Sequence, residues 1–103
     1  LKQLIKHYTK AIVIFGSRYC GSCRLLVKEQ LEIIAQKYPK YTFIYVDAEK
    51  DDGTYNHPTS MSLLSIKEIE YWPFWVYFKN ETEQKNGYLT WGKEVDDWIK
   101  QLE

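Results

Sequence analysis

The sequence predicts an α/β fold in which a mixed central sheet of about four strands is flanked by helices on both faces, and three observations predict it. The run Ala11-Ile12-Val13-Ile14-Phe15 is apolar without alternation, as in a strand buried on both sides. Strand-like and helix-like segments alternate through most of the chain. The remainder reads as a hairpin followed by a helix.

In chain order, Leu1, Leu4, Ile5 and Tyr8 recur at intervals of three and four and mark a short amphipathic helix over 1–9. The apolar run 11–15 is the first strand, broken by Gly16-Ser17. A helix follows from about Gly21 to Tyr38. Leu25, Leu26, Leu31, Ile33, Ile34 and Tyr38 form its buried side, and Pro39 stops it. Tyr41–Val46 is the second strand by β-propensity. Asp51-Asp52-Gly53-Thr54 reads as a turn, and Thr59 or Ser60 caps a helix over 61–71 that buries Leu63, Leu64, Ile66 and Ile69. Phe74–Phe78 is the third strand. Asn86-Gly87 is the hairpin turn, and Tyr88–Trp91 the fourth strand. Val95, Trp98, Ile99 and Leu102 then stand at helical spacing over 93–102. Trp75, Tyr77, Trp91 and Trp98 are expected in the core.

Composition narrows the function. The 103 residues suit a single domain, 1–103. Fourteen Lys+Arg balance fourteen Asp+Glu, which argues against a nucleic-acid binder. No apolar run approaches the roughly 20 residues of a membrane-spanning helix, so no membrane span is expected within the chain. No export signal is visible from Leu1 onward, so a cytoplasmic setting is slightly favoured; a signal upstream of Leu1 would imply an extracytoplasmic one. His7 and His57 read as surface residues, and Asp51, Asp52, Glu81 and Glu83 as solvated loop charge.

The two cysteines, Cys20 and Cys23, stand in Cys20-Gly21-Ser22-Cys23, between the first strand and the long helix. A helix start offers unsatisfied N–H groups and the positive end of the macrodipole, so a thiolate is favoured there. Arg18, Arg24 and the Ser22 hydroxyl add to that tuning. Cys20 at the outer end would attack a disulfide, and Cys23, one turn inward, would resolve the mixed disulfide. Other readings compete. A zinc site needs four ligands and has only His7 and His57 to draw on, both distant in sequence. A structural disulfide across so small a loop stabilises by about 2 kcal/mol or less. Two unrelated buried thiols are also conceivable. The strand-to-helix junction favours the redox reading.

With these residues the chain resembles the thioredoxin superfamily. The resemblance rests on the strand 11–15, the stretch Ser17-Arg18-Tyr19-Cys20-Gly21-Ser22-Cys23-Arg24, the strand Phe43-Ile44-Tyr45-Val46-Asp47, the stretch Trp72-Pro73-Phe74-Trp75-Val76-Tyr77-Phe78-Lys79-Asn80, and Gly92. It implies the thioredoxin fold and a redox-active Cys20–Cys23 disulfide with no other cofactor and no metal. It also implies a cis Pro73 facing the cysteine pair, with the Trp72 backbone turned to Cys20 and open to an extended substrate. The partners implied are cysteine-containing protein or peptide clients and a redox partner, a reductase or an oxidant. Tyr19, Trp72 and Pro73 are the candidate substrate-binding residues, with Tyr71 beside them.

The departures from the family pattern are specific. Tyr19 and Ser22 replace the usual Trp and Pro. Ile14 stands where a buried acid is usual, and Phe43 where a lysine often pairs with it. The relay that deprotonates the resolving cysteine is therefore missing, and slow release of the mixed disulfide is expected. Loss of the buried acid, with the cationic helix start, also predicts a potential some tens of millivolts above the roughly −270 mV of thioredoxin. The expected function is a thiol–disulfide oxidoreductase. The alternative is a thioredoxin-fold accessory domain with little turnover, like the bacteriocin-transport accessory proteins of low-GC Gram-positive bacteria.

Overall fold

The computed structural model describes residues 2–17, 19–47, 69, 71–90 and 92–103. In chain order these form α1 (Lys2–His7), β1 (Lys10–Gly16), α2 (Gly21–Leu25), a π-helical turn (Leu26–Gln30), α3 (Leu31–Lys37), β2 (Thr42–Asp47), β3 (Phe74–Lys79), β4 (Thr82–Tyr88) and α4 (Lys93–Lys100). The turn expected at 51–54, nearly all of the helix expected over 61–71, Arg18, His57 and Trp91 lie outside the described residues.

The strands form one sheet in the order β2-β1-β3-β4. β1 pairs parallel with β2 and antiparallel with β3, and β4 closes the edge against β3. The continuous apolar run in β1 has a simple cause. Ile12 and Ile14 point into one core with Leu26, Ile34, Trp75, Tyr77, Val95, Trp98 and Ile99, beneath the α2–α3 and α4 helices. Ala11, Val13 and Phe15 point into a second, with Ile5 of α1, Phe74, Val76 and Phe78. Successive side chains of a strand alternate in direction, so a strand between two cores must be apolar at every position. Trp75 and Trp98 meet edge to face, and the Trp75 indole donates to the Leu89 carbonyl at 3.0 Å. Lys37 and the Tyr38 hydroxyl both bond Asp96 and tie α3 to α4.

Two expectations need correction. The first concerns the long helix. Leu25 is 44% and Ile33 60% exposed, while Leu26 and Ile34 are buried. Eight residues carry an α-helix about 80° beyond two full turns, which would splay Leu26 from Ile34. The π turn, closed by the Leu31 N–H on the Leu26 carbonyl, holds one extra residue and takes back a similar angle. Leu26 and Ile34 therefore share the inner face, and Leu25 and Ile33 share the outer one.

The second concerns the hairpin. The turn is Asn80-Glu81, between the paired Lys79 and Thr82, and β4 runs over Thr82–Tyr88 rather than over 88–91. Asn80 and Glu81 both lie at positive φ, 51° and 70°, the two-residue geometry whose twist matches the flanking strands. Asn-Glu lacks the glycine that usually marks such a turn. Asn86-Gly87, which has it, lies inside β4 opposite Val76 and Trp75. Gly87 serves packing there, since a Cβ would come within 3.3 Å of the Trp98 indole nitrogen.

Glu81 carries a Cβ in a backbone region that disfavours one. Glu81→Gly is expected to raise the free energy of urea unfolding by roughly 0.5–1 kcal/mol. An unchanged or lowered value would show that the turn does not hold this conformation.

Candidate functional site

β1 ends at Gly16, and the chain must turn from the sheet into α2. Ser17, fully buried, organises the turn: its hydroxyl accepts from the Tyr19 N–H at 3.1 Å and its carbonyl from the Cys20 N–H at 3.1 Å. Cys20 then caps α2. Its backbone is extended, its carbonyl accepts from the Arg24 N–H, and its sulfur accepts from the Cys23 N–H at 3.3 Å. The thiol of Cys20 thus takes the place of a capping hydroxyl at the first helical turn, satisfying a donor that would otherwise have none.

The two sulfurs differ sharply in setting. Cys20 is partly exposed and Cys23 fully buried, both as free thiols. Burial pushes the Cys23 thiol up to about 12. The Cys20 side chain adds to the rise, and a backbone hydrogen bond at Ser17 and the Tyr45 hydroxyl oppose it. At neutral pH Cys23 is therefore protonated.

Across from the helix start, Trp72–Pro73 is a cis peptide bond. The Cys20 thiol faces the Trp72 carbonyl at 3.8 Å, bringing together residues 52 positions apart. Pro73 is buried and Trp72 half-buried against the second core. Tyr19 is 58% and Tyr71 66% exposed, and the Tyr71 ring meets Tyr88 edge to face. Ser22 is half-buried in α2, and Arg24 is exposed. Among the described residues no three His, Cys, Asp or Glu side chains gather as a metal site, and no helix is long and apolar enough to cross a membrane.

Sequence reasoning missed Tyr45. On β2 it pairs with Ile14, and Gly16 pairs with Asp47. The Tyr45 ring lies over Gly16, where a Cβ would come within 2.8 Å of the ring carbon bearing the hydroxyl. The phenol lowers the Cys23 thiol against the rise that burial causes, and the two residues line one groove. Burial is the main cause that raises the Tyr45 phenol well above its ordinary value, so it stays neutral as a donor. Cys23, Tyr45 and Asp47 border an apolar groove of about 630 Å³, walled by Leu25 and Val27 and rimmed by Arg24 and Lys28. The signal lay in the pairing of a missing side chain at 16 with a long polar one at 45, and it needed the strand register to be seen.

No protein-family model and no curated protein matches the chain. Solved structures do. A thioredoxin of Plasmodium falciparum superposes at a TM-score of 0.76 and 20% identity, over 99% of this chain and 90% of that one. Mitochondrial thioredoxin 3 of Saccharomyces cerevisiae gives 0.72 at 21%, over 98% and 86%. The thioredoxin of Fasciola hepatica gives 0.71 at 20%, over 99% and 90%.

Two measurements probe this geometry. Iodoacetamide at pH 7 should label Cys20 in the folded protein and leave Cys23 until denaturant is added; peptide mass mapping reads the order, and earlier labelling of Cys23 would reverse the two settings. Gly16→Ala should cost about 1–3 kcal/mol in urea unfolding, as overpacking does, and almost nothing in a Tyr45→Ala background. An equal cost in both backgrounds would mean that Tyr45 does not occupy the space over Gly16.

The four-stranded mixed sheet with its flanking helices, alike over nearly the whole length of these proteins, is the thioredoxin fold.

Proposed function

We propose that the chain is a thiol–disulfide oxidoreductase acting through Cys20 and Cys23 on cysteines of protein or peptide clients. One observation carries this reading: a partly exposed sulfur caps a helix beside the Trp72 carbonyl, and a second, buried sulfur stands one turn behind it. Outer and inner sulfurs so placed can act in sequence.

In the reducing direction the Cys20 thiolate attacks one sulfur of a client disulfide. A Cys20–client bond forms, the client S–S bond breaks, and the departing client thiolate takes a proton from solvent. Cys23 loses its proton and attacks the Cys20 sulfur. The Cys20–Cys23 disulfide forms, the client leaves as a second thiolate, and two electrons have passed to it. A reductase would restore the dithiol; with an oxidant as partner the same steps run backwards.

The arrangement around Cys20 supports roles for its neighbours. The Trp72 backbone can pair with an extended client segment as an added strand. Tyr19 and Trp72 offer apolar surface to the residues flanking the client cysteine, and the cis Pro73 sets the Trp72 carbonyl beside Cys20. Arg18 and Arg24 add positive charge, and Ser22 a hydroxyl, beside the dithiol in sequence. The chemistry needs neither metal nor organic cofactor.

The protein should accelerate reduction of a protein disulfide by dithiothreitol. Cys20→Ser should lose the acceleration, and Cys23→Ser should accumulate a Cys20–client adduct visible by intact mass. Failure of the unaltered chain to accelerate reduction of any of several disulfide proteins would overturn the proposal in favour of a client-binding domain with little turnover.

A further inference from the structure

The buried face of β1 gives Cys23 no charged base, because Ile12 and Ile14 are apolar, as is Phe43, the β2 partner of Ile12. One polar side chain of β2 shares the groove beside the sulfur. Tyr45 fills the room left by Gly16, borders with Cys23 and Asp47 the groove that opens to solvent, and lowers the Cys23 thiol against its burial. We propose that the Tyr45 hydroxyl assists Cys23 in resolving the mixed disulfide, donating a hydrogen bond to the thiolate as the thiol proton leaves for the groove.

The inference rests on the thiol–disulfide reading. In the resting dithiol the neutral phenol is the donor toward sulfur. On resolution the Cys23 proton leaves for solvent in the groove that Cys23, Tyr45 and Asp47 share. Tyr45 stays neutral throughout, its O–H available to the thiolate. The Cys23 thiolate attacks Cys20, the Cys20–client bond breaks, and the client thiolate is protonated by solvent. The other groups facing this pathway are few. Cys20 lies on the same helix turn, the Ser17 backbone bonds the sulfur, and Arg24 and Lys28 stand at the groove rim. A neutral phenol differs from a buried carboxylate in one respect that matters here: it puts no negative charge beside the thiolate it helps to form.

The test uses the full chain loaded at Cys20 with thionitrobenzoate, whose release by Cys23 is followed by absorbance across pH. Tyr45→Phe keeps the ring and removes the hydroxyl. Losing a hydrogen bond to a charged atom should lower the thiolate population about tenfold. The less stabilised thiolate is the better nucleophile, so release should slow roughly threefold and its pH profile should move to higher pH. Gly16→Ala, which pushes the phenol aside without removing it, should also slow release. Tyr77→Phe, whose hydroxyl bonds Glu103 instead, should leave release unchanged. Wild-type release rates and pH profiles in both Tyr45→Phe and Gly16→Ala would overturn the proposal. Release reports on Cys23 alone, so it decides the role of Tyr45 even if no protein disulfide proves to be a substrate.

Discussion

The structure depends on β1 being buried on both faces. Every other described strand is placed by it, β2 on one side and β3 on the other, with β4 held through β3. Each face of β1 contributes to a separate core, as does each face of β3, so the helices on the two sides of the sheet are coupled through these two central strands. The functional site inherits its rigidity from this arrangement. β1 delivers the chain to Ser17, and Ser17 fixes the turn that presents Cys20 and the start of α2.

The polar groups at the site are few and each is tied to the backbone geometry. Cys20 is held by its duty as a helix cap, and Cys23 is held by burial. Their surroundings differ in kind: the outer sulfur is open to solvent, and burial holds the inner one as a thiol. The two sulfurs are three residues apart, yet the helix turn between them separates solvent from core.

Much of this was legible in the sequence because it follows from burial periodicity. The unbroken apolar run 11–15 could only be a two-faced strand, and the spacing of Val95, Trp98 and Ile99 could only be an amphipathic helix with its buried side toward the sheet. The cysteine pair could be placed because a strand led into it and a helix led out. What failed was whatever depended on local chemistry being overruled by packing. Asn86-Gly87 is the better turn dipeptide, but β4 needed a residue without a side chain under Trp98, and the turn formed at Asn80-Glu81 instead. Leu25 and Ile33 fit an ideal helix face that the π turn displaced. Tyr45 escaped notice because the residue its ring covers is a glycine, and a position defined by a missing side chain leaves no trace in a pattern of hydrophobic residues.

That same pairing bears on how such a site can change over time. Gly16 and Tyr45 fit each other as a hollow fits a knob, and the knob also borders the groove beside Cys23. A larger residue at 16 would meet the phenol ring, while a smaller one at 45 would leave a void beside Cys23. Any lineage moving between this layout and one with a bulky residue on β1 must cross an intermediate that is both less stable and altered around its inner cysteine. The two positions are therefore bound to drift together or not at all, and the surroundings of the inner cysteine change with them.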